Sequence, residues 1–202
     1  MNISMPVQNE LKSAFLIDDR DLVDKSLNVA NLLDEYVDDL KILVKESFSN
    51  SKDDNKHQNK LHGLAWTATY VEALKQMSLW AEQLLKRGKF SKSERLILTL
   101  SFNEYLNQLF GGIMMSQNEI IRPVDLDCMK VTLEKLNCKE VLFFKDEVDT
   151  DHLRSELIKL IVKNESAPFI GNDGLDDDQN MIRQEFHKFS SEKIAPFAHE
   201  WH

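Results

Sequence analysis

The stretch "LILTLSFNEYLNQLFGGIMM", Leu96 to Met115, constrains this chain more than any other. Written on a helical wheel its apolar residues fall on most faces, and such a helix has to be enclosed by neighbours rather than laid on a surface. It therefore predicts an all-α fold, an antiparallel helical bundle with this segment at its centre. Ser91 and Glu94 stand three apart at its start, the spacing of a capping box in which the glutamate reaches back to the Ser91 amide. Gly111 and Gly112 mark its end or a close approach of backbone.

Neighbours for such a helix are present. Ala30, Leu33, Val37, Leu40 and Val44 recur in alternating steps of three and four, with Asp34, Glu35, Asp38 and Asp39 on other faces, so an amphipathic helix is expected from about Asp21 to Phe48. "SNSKDDNKHQN" has the composition of a loop. A second helix is expected from near Lys60, carried by Leu61, Leu64, Ala68, Val71, Leu74, Met77, Ala81 and Leu84. It should end at "LLKRGK", where Lys86 and Arg87 suit the negative end of the helix dipole and Gly88 can take a left-handed cap.

Beyond the central segment the pattern weakens. Ser116 and Glu119 repeat the capping spacing and predict a short helix limited by Pro123. A weak segment follows, then a short strand over Val141 to Phe144 and a helix from about Asp151 to Lys163. Pro168, Gly171, Gly174 and Asp176 to Asp178 break the periodicity and read as a linker. The last helix opens on those aspartates, which favour an N-terminus, and carries Ile182, Phe186, Phe189, Ile194, Phe197 and Trp201, with Pro196 expected to distort or restart it. The expected organisation is a flexible N-terminus over 1–20, a bundle over 21–165, a linker over 166–178 and a terminal amphipathic helix over 179–202.

Several function classes are disfavoured by the same residues. A net charge of -9 argues against nucleic acid as a partner, because phosphate backbones are held by clustered Lys and Arg. No apolar run approaches the roughly 20 residues of a membrane span, and "MNISMPVQNELKS" lacks the basic and apolar regions of a signal peptide, so a cytoplasmic location is expected. Cys128 and Cys138 match neither a zinc knuckle nor a C-x-x-C redox motif and read as reduced thiols. His199 and His202 in "HEWH" are one residue short of the zinc-protease spacing, and no metal site is expected. "GNDGLDDDQ" fails as a calcium loop, since Phe169 and Gly171 stand where oxygen ligands would be needed and Asn180 where a glutamate would. His62, Trp66 and Tyr70 lie four apart on one helical face, where core packing with a satisfied histidine is preferred over a ligand site.

Two stretches resemble a known family. "MIRQEFHKFSSEKIAPFAHEWH" resembles the opening helix of the catalytic core of the flavin-dependent acyl-CoA dehydrogenases, with Arg183, Phe186, Ile194, Pro196, Ala198 and Trp201 fitting its pattern. "HGLAWTATYVEALKQM" through "FNEYLNQLFGGIMMSQNEIIRP" looks like the helical N-terminal extension carried by some bacterial members. Within the second stretch, "NQLFGGIMMSQNE" is similar to the Q-x-x-G-G-x-G segment of the family's C-terminal helical domain, where backbone meets the flavin nucleotide. The resemblance thus implies cofactor contacts by Gln108, Gly111 and Gly112. Met114 replaces the third glycine and Glu119 stands one position beyond the catalytic glutamate's place, so no catalytic residue is expected in this chain.

Complete members use a glutamate base to take the α-proton of an acyl-CoA thioester while flavin N5 accepts the β-hydride, and pass the electrons to an electron-transferring flavoprotein. The resemblance therefore implies FAD, the remainder of the dehydrogenase core as partner, and a homo-oligomer, in fatty-acid or related acyl-CoA catabolism. These 202 residues would form the accessory front of such an enzyme, neither retaining flavin nor turning over substrate by themselves. The alternative expectation is a stand-alone helical interaction module whose last helix enters a partner's groove.

Overall fold

The computed structural model describes residues 17–49, 54–164 and 170–201. Most of the expected flexible N-terminus, at 1–16, lies outside these. The chain divides into two compact units, Met1–Gly171 and Asn172–His202. Among the described residues no helix is long and apolar enough to cross a membrane.

The first unit is helical, as its periodicity requires. Helix α1, Asp19–Ser49, begins where Asp18 Oδ1 accepts the Asp21 amide at 2.9 Å. Its expected apolar stripe is buried throughout, from Ala30 to Val44. Helix α2, Asp54–Lys86, starts earlier than expected. The polar composition of "KHQNK" signals exposure to water, which a helix tolerates, and the His57 ring packs on Phe48 of α1 at 4.5 Å, holding the added turns in place. Its C-terminus closes as read: Gly88 has φ +65, the Lys89 amide donates to Leu84 O and the Gly88 amide to Leu85 O, a Schellman arrangement. Helix α3, Lys92–Gly111, is the central element, burying Leu96, Leu98, Phe102, Leu106 and Leu109. Its N-terminal box forms, with the Ser91 amide donating to Glu94 Oε2 at 2.9 Å.

Three expectations fail beyond α3. Ser116 and Glu119 do not open a helix. They sit at the tip of a hairpin whose strands, β1 Ile113–Met114 and β2 Ile120–Ile121, pair antiparallel with Ile113 opposite Ile121. Gly112 at φ +133 turns the chain out of α3, burial of Ile113 and Ile121 fixes which face points inward, and the Met115 and Ser116 amides both close on Glu119 O. The weak segment is helix α4, Met129–Leu136, and the expected strand over Val141 to Phe144 is helix α5, Lys139–Asp146. An apolar run of four satisfies either period. Here α3 decides the matter, because Phe102 meets Phe144 in a tilted ring contact at 4.7 Å and Asn103 Nδ2 donates to both Phe144 O and Lys145 O at 2.9 Å. Helix α6, Thr150–Lys163, starts at Asp149, whose carboxylate accepts the His152 amide.

The second unit holds helix α7, Asp177–Phe189, capped by Asp176 in a reciprocal pair with Gln179. Asp173 pairs with Arg183 across the start of this helix. A π-helical turn over Ser190–Ile194 follows, closed by the Ala195 amide on Ser190 O, so regular α geometry is lost before Pro196 is reached. Met181, Ile182, Phe186, Phe189, Phe197 and Trp201 are all exposed, Phe186 at 71%.

Candidate functional site

Gln108, Gly111 and Gly112 lie together at the C-terminal end of α3, where that helix runs beside α2 and turns into the hairpin. The helical spacing of His62, Trp66 and Tyr70 places them in one ladder on α2. The Trp66 indole N–H donates to His62 Nε2 at 2.9 Å. Trp66 meets Tyr70 edge to face at 6.4 Å, and Tyr70 meets Tyr105 of α3 at 4.5 Å. The ladder ends on Gln108, whose Oε1 accepts the Tyr70 hydroxyl at 2.8 Å. Burial, with Tyr105 nearby, raises the Tyr70 phenol pKa, so it stays a donor at neutral pH.

The two glycines behave differently. Gly112 donates its amide to Gln108 O at 2.8 Å, and a Cβ on it would lie 2.8 Å from Ile120 Cγ2, so the position needs glycine both for its positive φ and for space. Gly111 is open, with nothing within 4 Å of an added Cβ. The amide oxygen of Gln108 and the N–H of Gly112 are therefore already engaged within the bundle. Chemically the arrangement braces α2 against α3. Replacing Gln108 by Ala is expected to cost about 1 kcal/mol, the net worth of one hydrogen bond between half-buried groups, with Tyr70→Phe costing no more. Chemical denaturation of both single variants and the double variant checks this, the double losing clearly less than the sum of the singles.

A second polar cluster lies deeper. Tyr36 of α1 shares a hydrogen bond of 2.9 Å with Thr132 of α4, and Cys128, also buried, donates to Pro123 O at 3.1 Å. Burial pushes the Tyr36 phenol far up and raises the Cys128 thiol, so both remain protonated packing groups. Both cysteines are free. No local pattern signals this pairing, since Tyr36 and Thr132, 96 residues apart, are brought together only by the docking of α4 on α1.

Among the described residues no group of three or more His, Cys, Asp or Glu side chains could hold a metal ion. His202 lies outside the described residues, so the "HEWH" pair cannot be placed. The acidic loop is organised by its own backbone: Asn172 accepts the Gly174 amide and Asp173 the Leu175 amide. That amide, with Arg183, keeps the Asp173 carboxyl below its usual range.

No protein-family model matches the chain. Over 153 residues, 75% of its length, it is 39% identical to the (2S)-methylsuccinyl-CoA dehydrogenase of Cereibacter sphaeroides, an acyl-CoA dehydrogenase. That match spans 27% of the relative, so the chain corresponds to about a quarter of it.

Proposed function

We propose, from this kinship with an acyl-CoA dehydrogenase, that the chain is the N-terminal portion of an enzyme that dehydrogenates an acyl-CoA thioester between its α and β carbons. A short-chain dicarboxylic thioester such as methylsuccinyl-CoA is the substrate class, taken from the relative's name. The observation that carries the reading is the coverage: three quarters of this chain matches only 27% of that protein. The exposed aromatic residues of this unit support it: Phe186 and Phe189 on α7 and Phe197 and Trp201 after the π-helical turn are built to be packed against.

In this reading residues 21–165 are an accessory bundle, 166–178 a linker and 179–202 the first helix of the catalytic core. FAD, which accepts hydride in such enzymes, belongs to the remainder. Of the flavin contacts expected at Gln108, Gly111 and Gly112, the Gln108 amide oxygen is taken by the Tyr70 hydroxyl and the Gly112 amide by Gln108 O, which argues against a flavin contact there. By itself the chain binds no flavin and performs no step of the reaction. In the complete enzyme a cytoplasmic homo-oligomer with an electron-transferring flavoprotein as acceptor is the matching assembly.

The test compares this chain, expressed with excess FAD, with a version extended through the full reading frame. Flavin absorbance and acyl-CoA-dependent bleaching in the extended form alone are the expected result. Stoichiometric flavin on the short chain would overturn the assignment, and a reading frame that encodes no flavin domain would favour the interaction-module alternative.

A further inference from the structure

Residues 166–178 have the composition of a linker, yet those described, from Ile170 onward, are fastened on each side of one peptide bond, Gly171–Asn172. On the bundle side Gly171 takes φ +84 and lies so close to α3 that a Cβ on it would stand 2.8 Å from Glu94 Oε1 and 3.5 Å from Ile97 Cδ1. Glu94 is 1% exposed, and its other oxygen, Oε2, accepts both the amide and the hydroxyl of Ser91. The wall that Gly171 meets is therefore held in place by the cap of α3.

On the other side, residues 172–176 fold onto the start of α7. Asn172 Oδ1 accepts the Gly174 amide at 2.9 Å, and Gly174 turns the chain at φ +81. Asp173 uses both carboxylate oxygens: Oδ1 accepts the Leu175 amide at 3.1 Å, and Oδ2 pairs with Arg183 Nη1. The second guanidinium nitrogen, Nη2, donates to Asn180 Oδ1 at 2.6 Å, and Asn180 Nδ2 donates to Asp176 O at 2.9 Å. A ring of bonds thus runs from Asp173 through Arg183 and Asn180 to Asp176, whose carboxylate in turn accepts the Gln179 amide. An arginine present only for solubility would leave its head in water, whereas here the planar fork bridges two acceptors, which a lysine cannot reproduce.

We infer that Arg183 is a positioning residue which, through Asp173, makes residues 172–176 part of the α7 unit, so that the bundle meets this unit at the single peptide Gly171–Asn172 and not through a flexible linker reaching to Asp178. Arg183 is one of the residues that carry the family resemblance, and the proposed function leaves it without a task. The inference needs only this chain's own residues and holds whether or not the chain is the front of a dehydrogenase. Within such an enzyme, Asp173 and Arg183 would be the pair that sets how the chain enters the first core helix.

Backbone nitrogen-15 relaxation of the 202-residue chain tests it. The amides of 173–176 should have order parameters above about 0.8, equal to those of α7, whereas a loose linker gives values below about 0.6. Asp173→Asn keeps an acceptor for the Leu175 amide and removes the charge, and Arg183→Gln removes the fork. Each should lower 173–176 below about 0.6 while amides 181–188 stay above about 0.8, which shows in the same spectrum that the helix is intact. Because the two side chains act as one pair, the double variant should lower 173–176 no further. Gly171→Val probes the other side and should loosen 170–171 while leaving 173–176 as rigid as in the parent. Values below about 0.6 over 173–176 in the parent would overturn the inference and restore the flexible linker. Rigid 173–176 in both single variants would also overturn it, since the fastening would then lie elsewhere than in Asp173 and Arg183. So would loosening of 173–176 by Gly171→Val, which would make the two sides one element.

Discussion

Phe102→Ala is expected to destabilise the bundle by about 3–5 kcal/mol, the range for emptying a buried aromatic site. Phe102 is wholly buried in α3, and its ring lies 4.7 Å from that of Phe144, which in turn meets Phe143 edge to face at 5.0 Å. Truncation removes the ring packed against Phe144 and leaves a cavity bounded by helices on several sides, which cannot all close in. The adjoining Asn103 holds the end of α5 through two carbonyls, so relaxation of α5 into the gap would strain those bonds. Against a total stability of about 5–15 kcal/mol the loss is large enough to leave a measurable unfolded population. Urea titration followed by far-ultraviolet circular dichroism checks it. A loss below about 1 kcal/mol would mean that the ring is not enclosed as described.

The same neighbourhood shows what could be read from the sequence and what could not. The long helices were legible because their signals are local: a three-and-four stripe from Ala30 to Val44, a glycine cap after Lys86 and a capping box at Ser91 each lie within one or two turns. The errors fall where the deciding contact is distant. Val141 to Phe144 fits a strand or a helix equally, and only Phe102 and Asn103, about forty residues away, select the helix. Ser116 and Glu119 carry capping-box spacing, yet with Gly112 turning the chain and two isoleucines to bury, the same spacing closes a hairpin. At the candidate site, His62, Trp66 and Tyr70 were legible as a face. Their terminus on Gln108 was not, because it joins residues 38 apart. Phe186 and Phe189, read from the sequence as part of the apolar set of the last helix, lie on α7 and are exposed.

Gly63→Val should cost about 3 kcal/mol, the upper end of what overpacking exacts, although propensity alone points the other way. Glycine inside a helix is worth roughly 1 kcal/mol less than alanine, so a residue with a side chain at position 63 would ordinarily be expected to help. An added Cβ there would lie 2.4 Å from Ile121 Cγ1 and 2.7 Å from Ile121 Cδ1. Ile121 is 5% exposed and paired in the hairpin with Ile113, also buried, so its side chain has no free rotamer into solvent and the whole ribbon must lift. Valine adds two further methyl groups in the same crowded direction. Because the conflict is with one side chain, it should be relieved by Ile121→Ala: the double variant is expected to lose clearly less than the two single losses added together. Denaturant midpoints of the four proteins measure this. Strict additivity would mean that the hairpin does not rest on α2 at Gly63.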